Sequence, residues 1–178
     1  MAACKSSSNL ITSVDPGERE TALIDMLTNH YFIFDYLTDK EYKEVKVWVE
    51  NYENGELIDQ SIQFSHFEVS EEGSIIFAML NDTNDNQLSI HIGTIADGNI
   101  TSFKSQVESP DTESMISVWG TASEEMSLDD GEVVLAYLLY SDAGRGISTP
   151  SIEYFEDTNS DEFKKYDVAY LIKAEFIE

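Results

Sequence analysis

The sequence predicts a mainly β protein, an antiparallel β-sandwich or barrel of about nine strands with a short N-terminal helix. Runs of β-branched and aromatic residues recur along the chain and are separated by turn-forming residues about every eight to twelve positions. Strand and helix patterns do not alternate, so a parallel sheet with crossover helices is not expected. The 178 residues include nine Phe, nine Tyr and two Trp, which is enough for the core of one domain.

The helix and the first strand are expected near the N-terminus. Asp15-Pro16-Gly17 is a typical helix start, and the pattern predicts a helix over residues 18–29, packed on an edge or end of the sandwich. Its apolar residues Leu23, Met26 and Leu27 share one face. Residues 31–37 follow as a strand, in which Asp35 either points to solvent or marks a bulge.

A hairpin around Asn54-Gly55 is the clearest local signal in the chain. Asn-Gly between two runs of strand-forming residues favours a two-residue type I′ turn. Counting outward from that turn places Val47 opposite Ile62 and makes one face mostly apolar. Trp48 then falls on the other face, where it is either a partner-binding aromatic or a core residue of a sheet covered on both sides. We favour the core interpretation.

Asp97-Gly98 predicts a second two-residue hairpin. Its register pairs Ile95 with Ile100 and Ile92 with Phe103. These two pairs lie on opposite faces of the hairpin. The hairpin is therefore either buried on both sides or bulged, with Gly93 as the candidate position for a bulge. The strands expected after the first hairpin cover residues 74–80, 87–96, 99–107, 115–122, 133–140, 151–156 and 166–177.

The domain limits follow from composition. Residues 1–14 are expected to be a flexible tether because a Ser-rich polar segment buries little apolar surface. Residues 15–178 are expected to form a single β-sandwich domain. The polar segment at 108–113 is a possible internal boundary between two half-sandwiches.

The net charge limits the classes of partner. The chain carries 35 acidic residues against ten Lys and Arg, for a formal charge of −25. Nucleic acid is excluded as a partner because phosphate binding needs a basic surface. The simplest interpretation is a solvated acidic surface that keeps the protein soluble, and a cationic partner remains open.

The first nine residues carry a lipid-attachment pattern. Small residues, Ala2-Ala3, precede the single cysteine, Cys4, and a polar Ser-rich segment follows it. The pattern resembles the start of the mature part of a Gram-positive bacterial lipoprotein, although Met1 stands where that family has Leu. The resemblance implies a lipid on Cys4 and a location outside the cytoplasm, anchored to the cell membrane. With one cysteine, no disulfide can form within the chain.

Two acid-rich segments have oxygen ligands at alternate positions, as a calcium loop needs. Neither has Gly at the sixth position and Glu at the twelfth, and Asp and Asn are also ordinary turn residues. Plain turns are therefore favoured. The weak candidate ligands are Asp82, Asn84, Asn86, Asp157, Asn159 and Asp161.

The sequence contains no recognisable catalytic or cofactor motif. The three histidines, His30, His66 and His91, lack the spacing of zinc ligands and are expected to be structural, so we expect no metal or other cofactor. No serine lies in a nucleophile-elbow pattern. Arg145 lies between two glycines and is expected to pair with a nearby Asp, with an anion contact as the alternative.

These observations favour a non-enzymatic, lipid-anchored extracytoplasmic β-sandwich that binds a protein or a component of the cell envelope. The alternative is a soluble intracellular acidic inhibitor or immunity-type domain. A hydrolase that uses two carboxylates is the third hypothesis, and it requires a cleft lined by two carboxylates in unlike environments.

Overall fold

The computed structural model describes residues 9–39, 42–59, 64–82, 87–108, 110, 112, 114–150, 155 and 164–178. Some of the predictions fall outside these ranges. They concern the lipid-attachment residue Cys4, the strand expected over 151–156, the side chain of Asp82, and the candidate calcium ligands Asn84, Asn86, Asp157, Asn159 and Asp161.

The described residues form twelve strands and one α-helix. The elements are β1 (Leu10–Ser13), α1 (Glu18–Asp25), β2 (His30–Leu37), β3 (Glu44–Glu53), β4 (Glu56–Asp59), β5 (Phe64–Glu68), β6 (Glu72–Asp82), β7 (Gln87–Ala96), β8 (Asn99–Glu108), β9 (Met115–Thr121), β10 (Glu125–Ser127), β11 (Glu132–Asp142) and β12 (Val168–Ile177). None of the described segments contains a helix long and apolar enough to span a bilayer.

The strands build two antiparallel sheets that pack face to face. The first has the order β10-β1-β2-β6-β7-β8, and the second has the order β4-β3-β12-β11-β9, with β5 also paired to β3. Neither sheet closes on itself within the described residues, so the predicted antiparallel β class is confirmed as a sandwich rather than a barrel. Strands from before and after residues 108–113 occur in both sheets, so that segment does not divide the fold.

The main core lies between the sheets and is built by alternation along each strand. On β3, Val45, Val47 and Val49 face inward and have no exposed surface. Each fully buried aliphatic side chain contributes about 1.5–3 kcal/mol. The same alternation supplies the opposite wall from β2, β6 and β7, with Phe32, Phe34, Ile75, Phe77, Met79, Leu88, Ile90 and Ile92.

The outer face of the second sheet carries a smaller core of its own. Tyr137 and Leu171 on this face pack with Phe155 and Tyr166, which belong to the connection between β11 and β12. The rings of Tyr137 and Phe155 stack with centroids 5.0 Å apart. Trp48 lies on the same face and is only 7% exposed, which confirms its assignment to the core.

A buried ion pair lies on that outer face. The Lys173 side chain is 4% exposed, and its Nζ is 3.0 Å from Oε2 of Glu50 and 2.6 Å from Oε1 of Glu132. Glu50 also accepts hydrogen bonds from the Tyr52 hydroxyl at 2.7 Å and from Nε1 of Trp48 at 3.3 Å. The buried lysine is thus matched by carboxylates, as burial of a charge requires.

The first hairpin has the predicted turn. Asn54 and Gly55 have φ values of 51° and 81°, as a type I′ turn requires, and Glu53 is opposite Glu56. The Gly55 position is also crowded, because a Cβ there would lie 2.6 Å from Cγ of Lys164.

The predicted register of that hairpin is wrong beyond the turn. A bulge interrupts the pairing between Asn51 and Tyr52, and β4 ends at Asp59. When pairing resumes with β5, Val47 is opposite Ser65 instead of Ile62. The interruption reverses which residues face the core, and it places Phe67 opposite Val45 with both side chains buried.

The second hairpin follows the predicted register throughout. Ile95 is opposite Ile100 and Ile92 is opposite Phe103, around an Asp97-Gly98 turn in which both φ values are positive. The pairing of β7 with β8 shows no shift at Gly93, so the bulge suggested there is absent. Instead β7 is a largely buried inner strand, and β8 is an exposed edge strand of the first sheet.

The predicted tether over residues 1–14 is too long, because β1 is an integral strand between β2 and β10. Ile11 on β1 is completely buried in the main core. The Asn9 side chain accepts hydrogen bonds from the Thr38 hydroxyl and the Asp39 amide, at 2.8 and 3.1 Å. A four-residue strand is hard to recognise from composition when its partners are distant in sequence.

The helix is shorter than predicted and does not pack as expected. It ends at Asp25 instead of residue 29, because the following residues are bound to β6. The Asn29 amide and the Thr28 hydroxyl both donate to the Met79 carbonyl, at 3.2 and 2.8 Å. The helix buries none of its residues, and Leu23, Met26 and Leu27 are exposed. In β2, Asp35 points to solvent without a bulge and accepts from the Ser74 hydroxyl at 2.7 Å.

The two turn glycines make a matched pair for a stability test. Both have positive φ, but a Cβ added at Gly98 would have no atom within 4 Å, whereas one added at Gly55 would meet Lys164. We expect Gly98→Ala to lower the free energy of unfolding by about 1 kcal/mol through backbone strain alone. Gly55→Ala should cost at least about 1 kcal/mol more because Lys164 must move. Equal costs in denaturant unfolding would contradict the contact with Lys164.

The buried and the exposed lysines of the second sheet predict unequal losses. Lys173→Met leaves Glu50 buried without its cation and should lower the free energy of unfolding by about 3–5 kcal/mol. Lys46 pairs with Glu175 at 2.9 Å, but both side chains are partly exposed, so Lys46→Met should cost about 0–1 kcal/mol. Both substitutions remove one positive charge, so the difference between their losses in free energy of unfolding reports the effect of burying the ion pair. A loss for Lys173→Met no larger than that for Lys46→Met would be inconsistent with the network.

Candidate functional site

A cleft of 460 Å³ opens where the edge strand β9 meets the start of β2. The segment that joins β1 to α1 and one face of the helix complete its walls. Its lining combines aromatic, apolar and acidic side chains: Ser13, Val14, Asp15, Pro16, Thr21, Asp25, Asn29, His30, Tyr31, Phe32, Ile33, Trp119, Gly120 and Thr121.

An aromatic pair forms the centre of the cleft. The rings of His30 and Trp119 meet edge to face, with centroids 4.7 Å apart and an interplanar angle of 61°. Trp119 is opposite Leu138 of the core strand β11, yet it is 52% exposed because, among the described residues, no strand pairs with β9 on its other side. An exposed indole at a cleft is a typical binding residue, since it offers a large rigid surface.

The residue next to Trp119 has a structural reason to be glycine. A Cβ on Gly120 would lie 2.9 Å from the Tyr137 hydroxyl, so only glycine lets that tyrosine lie across β9. Tyr137 is buried in the outer core, and burial raises its pKa. The sheet beneath Trp119 is therefore closely packed.

His30 is held in place through the backbone around it. The Thr28 hydroxyl lies 2.9 Å from the His30 carbonyl oxygen and 2.8 Å from that of Met79. Burial lowers the pKa of His30, so the ring is neutral at pH 7. Its buried Nδ1 has no hydrogen-bond partner among the described residues. The cleft thus has a neutral polar group at its centre.

The rim of the cleft is acidic. Asp15 and Asp25 are exposed and line it from the helix entry and the helix end. The helix is fixed at its start, because the Glu20 carboxylate accepts a hydrogen bond from the Gly17 amide at 3.0 Å. An exposed indole beside two carboxylates suits a cation with an apolar stem, such as a Lys or Arg side chain. The exposed Leu23 of the helix lies on the face turned away from the cleft.

A second, shallower cleft of 600 Å³ has basic residues, namely Arg145, Lys164 and Lys165. The Arg145 guanidinium donates to the Asp167 carboxylate at 3.0 Å, so the predicted pairing with a nearby Asp is confirmed. Asp167 also accepts from the Asp142 amide at 2.8 Å and thereby ties the loop after β11 to the start of β12. The arginine has a structural partner.

The structure also bears on two other hypotheses from the sequence, a metal site and a pair of hydrolytic carboxylates. The described residues contain no group of three His, Cys, Asp or Glu side chains that could hold a metal ion. The carboxylates of Glu50 and Glu132 do lie in unlike environments, one buried and one half-exposed, but both bind Lys173. Neither lines either of the clefts described above.

Sequence reasoning missed the cleft. The sequence pattern identifies Trp119 only as a strand residue and His30 only as a structural histidine. Their contact depends on β9 being an edge strand above β2, and neither fact is encoded near residue 119. A Trp-Gly pair in a strand was the available signal, because glycine in a strand often marks a close backbone approach.

His30 gives a signed expectation for stability against pH. The unfolded ring titrates near its ordinary pKa of 6.5, whereas burial lowers the pKa of the folded ring. Below that value the unfolded state binds a proton that the folded state does not, so the contribution of His30 to stability falls as the pH falls. Wild type should therefore lose stability relative to His30→Gln between about pH 7 and 5. If the free energy of unfolding of wild type minus that of His30→Gln stays constant or increases as the pH falls, the burial of the ring is contradicted. His91, whose pKa is also lowered, is common to both proteins and cancels.

The fold and the cleft can be compared with known proteins. Searches of curated proteins and of solved structures gave no match. The family model described as the YgaN domain matches residues 10–176, from the first residue of β1 almost to the end of β12. Both sheets and all the residues of the His30–Trp119 cleft lie within this range, and the chain belongs to the YgaN domain family.

Proposed function

We propose that this protein is a non-enzymatic binding module, anchored through a lipid on Cys4 outside the cytoplasm. In this proposal it holds a cationic segment of a protein, or of a cell-envelope component, in the His30–Trp119 cleft. The observation that carries the proposal is the half-exposed indole of Trp119 in an acid-rimmed cleft. A surrounding charge of −25 would attract such a ligand and speed its encounter.

The chemistry of the cleft supports a Lys or Arg side chain as the central contact. The cation would lie against the Trp119 ring while its apolar stem packs on Phe32 and Ile33. Asp15 and Asp25, which line the cleft, would accept charge-assisted hydrogen bonds from it. His30 adds no opposing charge as long as it is neutral. Binding should accordingly weaken only below the lowered pKa of His30, where the ring becomes protonated.

The path of the chain is compatible with an anchor. The described chain begins at Asn9, beside Leu37, and β1 then runs to Ser13 at the cleft. The strand separates its two ends by roughly 10 Å. A lipid on Cys4 would therefore precede the end of β1 that lies away from the cleft, with five residues between Cys4 and Leu10.

The binding proposal is tested with a synthetic peptide of alternating Lys and Leu residues. The peptide carries a dye, and its fluorescence anisotropy is read on titration, because the variants compared below lack the exposed indole of Trp119. We expect saturable binding, with Trp119→Ala weakening it about 2- to 30-fold through loss of the cation–aromatic contact. Trp119→Phe should restore part of the affinity.

A charge-matched pair separates the cleft from the general field of the protein. Asp25→Asn should weaken binding of the same peptide more than Glu71→Gln does, although both remove one exposed negative charge. If the two variants bind equally, the peptide is held by the overall charge and the cleft is not its site.

Anchoring is tested separately by membrane fractionation. The protein expressed in its native host should be found with the membrane and should take up a labelled fatty acid, and Cys4→Ser should abolish both. A soluble, unlabelled wild type would reject the anchor and favour the intracellular inhibitor hypothesis, without affecting the binding test.

A further inference from the structure

We propose that β8 is a self-association strand, through which two copies of this chain pair edge to edge and join their first sheets into one. The strand runs for ten residues, Asn99–Glu108, and in the part of the chain that the structure describes it is the last strand at this edge of the first sheet. It contains no proline and pairs with β7 without any register shift. Long regular edge strands of this kind are ready to pair with another strand.

The geometry of the hairpin shows which backbone groups are open. A two-residue turn closes with a hydrogen-bonded pair, here Ala96 with Asn99, and such pairs alternate along an antiparallel ladder. Odd-numbered residues of β8 therefore use their amide and carbonyl groups on β7. The even-numbered residues direct theirs to the open edge: Ile100, Ser102, Lys104, Gln106 and Glu108.

The charge along this strand favours a second copy as the partner. The chain is strongly acidic, yet Asp97 is the only acidic residue between positions 86 and 107. Two copies that approach through β8 bring no carboxylates into contact before Glu108. The edge also exposes apolar surface, since Ile100 is 77% and Phe103 47% exposed. The Phe103 ring already contacts Phe67 of the second sheet, with centroids 5.5 Å apart.

The pairing rules and the overlap of two ten-residue strands restrict the twofold axis to residue 103 or 104. The open backbone amides and carbonyls of one β8 can bond those of the other only if even-numbered residues pair with even-numbered residues. The twofold axis that relates the two copies must then pass between two copies of the same residue. An axis at Lys104 would place the two lysines opposite each other. An axis at Phe103 instead pairs residues 99–107 of one copy with residues 107–99 of the other. This pairing forms about eight new hydrogen bonds between the strands. It places Ser102 opposite the second copy's Lys104, and the two Phe103 rings side by side.

The association is measured by sedimentation of the full chain at near-physiological salt. We expect a concentration-dependent monomer–dimer equilibrium. Ser102→Pro removes an amide that β7 does not use, so it should leave the fold intact, by circular dichroism and melting, and abolish the dimer. A wild type that stays monomeric up to its solubility limit overturns the proposal, as does a dimer that Ser102→Pro leaves unchanged.

A charge pair tests the register against the effect of net charge. Ser102→Glu makes each chain more negative, but it places a carboxylate opposite Lys104 twice per dimer and should lower the dimer Kd by about 2- to 30-fold. Ser102→Lys makes each chain less negative, but it places two lysines opposite each other and should raise the Kd by a similar factor. The reverse order would show that overall charge governs association and would overturn the Phe103 register.

Discussion

Both faces of the second sheet are buried, and this burial limits which residues its strands can carry. Its central strand β12 is buried from Val168 to Ala174, so residues on both sides of the strand must be apolar or paired. Lys173 is the exception, and the carboxylates of Glu50 and Glu132 match it. The connection between β11 and β12 supplies the outer cover, through Phe155 and Tyr166. The first sheet has no comparable core on its outer face among the described residues. Among the described residues, the exposed Phe and Trp side chains are Phe103 on the edge strand β8 of the first sheet and Trp119 on the edge strand β9 of the second.

Some of the few basic side chains of the protein are used in ion pairs within the fold. Ten basic residues are set against 35 acidic ones, and three of the basic residues, Lys46, Arg145 and Lys173, are in ion pairs that hold strands or loops together. With more than three acidic residues for each basic one, most carboxylates cannot have a cationic partner of their own. A surface of this kind repels its own copies and attracts cations. This is why the β8 edge, whose one acidic residue is Glu108 at its end, and the acid-rimmed cleft stand out as surfaces with different partners.

Local chemistry allowed much of the fold to be predicted. Both type I′ turns form at the expected Asn-Gly and Asp-Gly pairs, because only residues that tolerate positive φ fit there. The register of the second hairpin followed from its turn alone. The register of the first did not, since a bulge beside Tyr52 shifted the pairing in a way that no single residue announces. The strand β1 was missed for a related reason, because Ile11 is buried by strands distant in sequence. The cleft was missed because Trp119 and His30 are brought together only by sheet order.

Contact between Trp119 and a cationic ligand in the cleft can be observed through the indole resonances of the two tryptophans. In a nitrogen–proton correlation spectrum, titration with the Lys–Leu peptide should shift the Nε1 resonance of Trp119 saturably. The Nε1 group of Trp48 is buried and donates to Glu50, so its resonance should stay in place. A Trp119 resonance that does not move while the peptide binds would contradict the account.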